Sequence, residues 1–241
     1  MPTITEKTVR EIALENPSSI RVFESLGIDY CCGGKRQLSD ACSHAKVDFD
    51  RVLELLEAAK LDVQAPDTEG WKARPLAELI AHIVAKHHGY VRQETPRIQG
   101  LLTKVLGKHG PTHPEIVQID ELFSAISQEL STHMLKEEQV LFPYVERMEA
   151  ALLAGQSVPV PFFGTVQRPI ANMVAEHDDA GALLARIRAL SNGYTAPQGA
   201  CPTFVGLYQG LEEFERDLHH HVHLENNILF PRAIEMEQSQ A

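Results

Sequence analysis

His133-Met134-Leu135-Lys136-Glu137-Glu138-Gln139-Val140-Leu141-Phe142-Pro143 returns 88 residues later as His221-Val222-His223-Leu224-Glu225-Asn226-Asn227-Ile228-Leu229-Phe230-Pro231, and both stretches obey His-x3-Glu-x4-Phe-Pro. Upstream, His88 stands 45 residues before His133, and His177 stands 44 before His221. One helical hairpin is therefore written twice, each copy carrying a histidine on its first helix and a His-x3-Glu pair on its second. Residues four apart on a helix share a face, so an imidazole and a carboxylate at that spacing can grip one centre.

Working outward from these motifs, residues 75–106 carry Leu76, Leu79, Ile80, Ile83, Val84 and Val91 at helical spacing, with Pro96 as an expected kink. Residues 115–141 form a second long helix that Pro143 is expected to bend or end. A third begins with Pro169 as its first helical residue and runs to Leu190, where Asn192-Gly193 caps it. The fourth covers about 203–230, with Pro231 at its far end. Gly110-Pro111-Thr112-His113-Pro114, residues 155–163 and residues 194–202 read as the loops between them. Four long helices with no credible strand predict an up-down four-helix bundle.

Ahead of them, residues 1 to about 60 read as short helices at 8–15, 19–26, 39–45 and 49–60, with Tyr30-Cys31-Cys32-Gly33-Gly34-Lys35 as a glycine turn. Residues 61–73, polar and containing Pro66 and Gly70, read as a linker. The expected organisation is all-α: a small N-terminal helical domain over 1–65 and the four-helix bundle over 72–241.

The chain has 241 residues, 44% of them hydrophobic, and carries 22 Lys plus Arg against 33 Asp plus Glu. An acidic balance of −11 argues against nucleic-acid binding, and no apolar run approaches the length of a membrane span. The first 17 residues lack the apolar segment of a secretory signal. Four cysteines are too few for a disulfide framework, and a bond between the adjacent Cys31 and Cys32 would be strained and easily reduced. A cytoplasmic protein with free thiols, monomeric or homodimeric, is the expectation.

Twelve histidines need a chemical reason. Packing the two hairpins face to face would bring His88, His133, Glu137, His177, His221 and Glu225 together in a bundle core. Unpartnered ionisable groups there would each cost several kcal/mol, and metal cations supply the partner. At about 100° per residue, Glu225 lies about 40° from His221, whereas His219 and His223 fall about 160° away and read, with His220, as solvated or as supports to the ligands. Between His87 and His88, spacing favours His88. His44, His82, His109 and His113 have no matching partner and read as ordinary histidines. Four nitrogens and two carboxylates without thiolate suit iron, then manganese, with zinc more often tetrahedral. Six ligands for two ions leave each ion an open or solvent-held position.

These residues resemble the haemerythrin-like domain, and Tyr30-Cys31-Cys32-Gly33-Gly34 with its short helices resembles the N-terminal domain of the repair-of-iron-centres family. The likeness covers nearly the whole chain, including Ser131-Thr132-His133-Met134, Leu224-Glu225-Asn226-Asn227 and both Phe-Pro endings. It implies two irons per chain in an oxo- or hydroxo-bridged centre held by those same six ligands, with Glu137 and Glu225 bridging. The two glutamates and the smaller histidine count depart from oxygen-carrying haemerythrins. The implied role is repair of iron-sulfur clusters damaged by nitrosative and oxidative stress, by donation of iron to damaged or apo iron-sulfur proteins, with NO or O2 as small ligands. A di-iron nitric oxide reductase, an NO-binding or oxygen-sensing module, and a zinc-filled structural bundle are the other readings; whether the chain is an enzyme stays open.

Cys31 and Cys32 are the candidate redox or iron-transfer thiols, Lys35 and Arg36 being expected to favour thiolate; the bland reading is small residues in a glycine turn. Cys42 and Cys201 read as structural. Glu138, Glu176 and Asp178 read either as the lining of an exit path or as plain surface charges.

Overall fold

The computed structural model describes residues 4–59, 69–158 and 160–239. Among these residues no strand forms, only a lone antiparallel bridge between Thr8 and Gln37, and the fold is all-α. The chain divides into two compact units, Met1–Leu79 with His219–Ala241, and Ile80–Leu218. No helix among the described residues is long and apolar enough to cross a membrane.

In the first unit, α1 (Val9–Glu15) starts on a reciprocal cap. The Glu11 N–H donates to Thr8 Oγ1 at 3.2 Å, while Glu11 Oε2 accepts the Thr8 N–H at 2.7 Å. α2 (Ser19–Ser25), α3 (Leu38–Ala45) and α4 (Phe49–Ala59) follow. They bury Ile12, Phe23, Ile28, Tyr30, Leu38, Val52 and Leu56 in one small core. The last residue expected in α4 and most of the expected linker, residues 60–68, lie outside the described residues; Glu69–Lys72 forms a short 3-10 turn. α5 (Leu76–His82) comes next.

In the second unit a one-turn π-helix, π1 (Ile83–His88), leads into α6 (Gly89–His109), which runs through Pro96. α7 (Glu115–Lys136) passes into π2 (Glu137–Leu141) and then α8 (Phe142–Leu153). α9 (Gln167–Leu190) is followed by α10 (Pro202–Leu224). Neighbouring helices touch in a closed cycle. Gln99 of α6 donates to Asp120 of α7 at 2.7 Å, Lys136 of α7 pairs with Glu176 of α9, Arg188 of α9 donates to Glu215 of α10 at 2.9 Å, and Tyr90 of α6 packs against Phe214 of α10. A short turn, residues 110–114, joins α6 to α7, and a longer loop, residues 191–201, joins α9 to α10. The buried stripe of α7 is Ile116, Ile119, Phe123, Ile126, Leu130, His133, and that of α9 is Ile170, Met173, His177, Ala180, Leu184, Ile187. A histidine thus occupies a core position in each apolar stripe.

Two boundary expectations are corrected. Pro143 and Pro231 neither end nor break their helices: α8 continues past the first, and α11 (Phe230–Gln238) past the second. A proline has no N–H to donate and its ring presses on the carbonyl one turn back. The chain meets both demands by widening the preceding turn, with the Phe142 N–H donating to Glu137 O in π2 and the Phe230 N–H to Glu225 O in π3 (Glu225–Leu229). Pro169 is the third residue of α9 and not the first; this is harmless because the first four N–H groups of a helix have no intrahelical partner anyway. At the other end of α9 the Asn192-Gly193 cap forms, Asn192 being left-handed at φ 50°, with the Gly193 N–H reaching Arg188 O at 2.8 Å. In the 155–163 loop Pro159 lies outside the described residues, and Val160 and Phe162 are exposed.

Candidate metal centre

Within the second unit, His88 at the end of π1, His133 near the end of α7, Glu137 at the start of π2 and His177 in mid-α9 are all buried. His88 Nε2 faces Glu137 Oε2 at 3.4 Å, and His133 Nε2 faces Glu137 Oε1 at 3.3 Å. The Nε2 atoms of His133 and His177 stand 3.0 Å apart. One donor atom each from His133, Glu137 and His177 lie within 4.8 Å of one another.

The other ring nitrogens settle what these atoms are. His88 Nδ1 contacts Glu138 Oε1 at 2.6 Å, and His133 Nδ1 contacts Glu176 Oε2 at 2.8 Å. A carboxylate only accepts, so each Nδ1 carries a proton, and the ring turns its Nε2 inward toward Glu137. Burial alone would push both carboxyls up. Hydrogen bonds from His88 and Arg92 hold Glu138 below the usual carboxylate range, and those from Lys136 and His133 do the same for Glu176. Both carboxylates are therefore charged acceptors. Imidazole nitrogens and a buried carboxylate converging at 3.0–3.4 Å stand at the spacings that donors about 2.0–2.2 Å from one first-row metal adopt. The donor set fits a metal.

His87, the neighbour that spacing disfavoured, is also buried but turns its Nδ1 to Asp217 at 3.0 Å. Glu138 and Glu176 were legible only as exit-path or surface charges, and their hold on the imidazoles was missed. The available signal was position: each adjoins a candidate ligand in sequence, Glu138 after Glu137 and Glu176 before His177. Asp178 is exposed.

Within the first unit, His221 on α10 and Glu225 at the start of π3 are fully buried, with Nε2 to Oε1 at 3.0 Å. Of the two readings of His223, solvated or a support to the ligands, burial excludes the first: the ring is fully buried, and burial pushes its imidazole down to about 3, so it is neutral. Its Nδ1 accepts from Asn227 Nδ2 at 2.9 Å, and Asn227 Nδ2 also donates to Tyr30 O at 3.1 Å. Tyr30 packs against the His223 ring at 5.4 Å and the His219 ring at 6.3 Å.

The residue after Tyr30 opens the cysteine turn. Asp29 Oδ1 accepts the N–H groups of Cys31 and Cys32 at 3.0 and 2.9 Å, and Oδ2 accepts that of Gly33 at 2.8 Å. Gly34 is required: a Cβ there would stand 2.7 Å from Tyr30 O. The two sulfurs are 3.8 Å apart, and the Cys31 thiol donates to Asp29 Oδ1 at 3.3 Å. Asp29, Cys31 and Cys32 together could hold a cation. The expected thiolate is not found at Cys31. Its hydrogen bond with Cys32, its burial and the Asp29 carboxylate push this thiol well above the ordinary range, while Lys35 and Arg36 are exposed. Cys42 is buried, but Cys201 departs from its structural reading. At the start of α10, N–H groups of Phe204 and Thr203 draw its thiol down, and His109 Nε2 lies 3.3 Å from the sulfur.

The chain is similar to known proteins over nearly its whole length. A family profile described as the Hemerythrin HHE cation binding domain matches residues 79–233, which contain all six candidate ligands. A second, ScdA_N, described as a domain of unknown function, matches residues 5–60. Among curated relatives, an iron-sulfur cluster repair protein YtfE from Pectobacterium atrosepticum is 37% identical over 232 residues, covering 96% of this chain and 98% of its own. That from Escherichia coli O81 is 37% identical over 229 residues, covering 95% and 97%.

Proposed function

The chain belongs to the haemerythrin HHE cation-binding family, and from that membership we propose that it repairs damaged iron-sulfur clusters by holding iron and giving it up to apo or damaged iron-sulfur proteins. Two irons, oxo- or hydroxo-bridged, are held by His88, His133, Glu137, His177, His221 and Glu225, with the two glutamates bridging. The repeat supports this division of labour: positions 88 residues apart are His with His and Glu with Glu. The observation that carries the reading is the convergence of the His88 and His133 Nε2 atoms on the buried Glu137 carboxylate.

The residues around the cargo do three things. Glu138 and Glu176 hold the His88 and His133 rings in the tautomer that presents Nε2. Glu137 and Glu225 offset the positive charge of iron, so binding relieves the cost of burying each carboxylate. On release, Nε2 of each histidine is the atom free to take a proton, which keeps the emptied site from accumulating negative charge. Bound iron supplies the redox change and the open positions that answer to NO or O2. Cys31 and Cys32 are the thiols that receive outgoing iron, with Cys32 the half-exposed member. The protein acts in the cytoplasm as a monomer or homodimer.

The test is iron transfer. Reduced, iron-loaded protein mixed with an apo iron-sulfur protein should lose iron as the acceptor's cluster absorption grows, and Glu137→Leu or Glu225→Leu should abolish this. Protein that keeps its iron beside a competent acceptor, or that instead turns NO over to nitrous oxide many times with a supplied reductant, overturns the reading.

A further inference from the structure

Asn227 belongs to the repeated motif, yet no metal-holding role uses it. It sits two residues after Glu225 inside π3, and its side-chain amide spends its hydrogens on Tyr30 O and on His223 Nδ1. Its own carbonyl accepts from Arg10 Nη2 at 2.9 Å. The Arg10 backbone N–H donates in turn to Gly34 O at 2.8 Å. Tyr30 and Gly34 are the two ends of the turn that contains Cys31 and Cys32. The thiol turn is therefore gripped at one end by Asn227 directly and at the other through Arg10. There is no slack in it, since a Cβ on Gly34 would meet both Tyr30 O at 2.7 Å and Arg10 Cβ at 3.2 Å.

The internal repeat shows that this is not a general demand of the motif. The positions matching His223 and Asn227 in the first copy are Leu135 and Gln139, and both are exposed. Only the copy facing Tyr30 carries a buried imidazole and a buried amide at those places.

We propose that Asn227 is a positioning residue that couples the Cys31–Cys32 turn to the Glu225 carboxylate, so that metal held by Glu225 and the accessibility of the two thiols change together. Metal on Glu225 fixes the start of π3, π3 fixes Asn227, and Asn227 with Arg10 closes the turn. By linkage, disturbing the turn loosens the metal by the same factor. The inference rests on Glu225 being a metal ligand, as proposed above.

The full-length protein, iron-loaded or stripped by a chelator, is treated with iodoacetamide, and alkylation is read at each cysteine by peptide mass spectrometry. Stripping should raise the rate at Cys32 by about five-fold or more, the lower end of usual coupling between sites, and leave Cys201 unchanged. Asn227→Ala, compared with wild type at equal iron loading, should bring the ratio at Cys32 to one, whereas Gln139→Ala should keep it. Arg10→Met, which cuts the second link, should also lower the ratio and serves if Asn227→Ala does not fold. A ratio of one in iron-bearing wild-type protein, or a ratio that survives both variants, overturns the coupling. Wild-type protein that takes up no iron fails earlier, at the metal analysis, and removes the metal-centre reading with it.

Discussion

Residues 133–143 and 221–231 are two copies of one motif used in different surroundings. What they share is the His, the Glu four residues on, the widened turn that begins at that Glu, and the Phe-Pro that follows. What they do not share lies on the other faces: Leu135, Glu138 and Gln139 in one, His223, Asn226 and Asn227 in the other. In the first copy Glu138 is charged and joins His88 to Arg92 near solvent; in the second, His223 and Asn227 are buried and tie to Tyr30. In the proposed reading the common positions hold the cargo, and the divergent positions fasten each copy to what surrounds it.

The hardest blow to this comparison would come from the shared positions. Glu137→Leu and Glu225→Leu should each remove most of the bound iron, measured as metal per chain; unequal losses would show that the copies are not equivalent as ligands. Next are the carboxylates on the imidazoles. Glu138→Gln and Glu176→Gln should weaken iron retention against a chelator by about 10–100-fold, the usual effect of removing such a support, while Asn226→Ala, at the place matching Glu138, should do less.

A third contrast is acid stability. His223 is neutral when folded, with its pKa pushed down to about 3 by burial, so the unfolded chain binds more protons as pH falls below about 6.5. Folding stability of metal-free protein should therefore decline toward low pH, by up to ~1.4 kcal/mol per pH unit from this group. His223→Leu, which installs what the first copy carries, should flatten that slope in denaturant titrations. Smallest of all, Gln139→Ala on the exposed face should change stability by no more than about 0.5 kcal/mol.

The helical class, the long helices and the family were legible because they are written in spacing: apolar residues at helical intervals, and a motif repeated at a constant offset. What spacing could not show depends on neighbours brought together by folding. Phe-Pro reads as a helix stop, since one proline cannot reveal that the turn before it widens. Glu138 and Glu176 look like surface charge until the rings of His88 and His133 are set beside them. The Cys31 thiol looked activated from Lys35 and Arg36, its neighbours in sequence. In the fold it faces Asp29 and Cys32 instead, and these push its ionisation the other way.

A turn with bonds five residues apart holds one more residue than its α counterpart. Deleting one residue between Glu137 and Phe142 would let that turn close as an α turn, leaving Phe142 and Tyr144 facing the core but setting the Pro143 ring against the carbonyl one turn back. The same surplus residue stands after the glutamate in both copies, so each Phe-Pro is carried through its helix by the same local device.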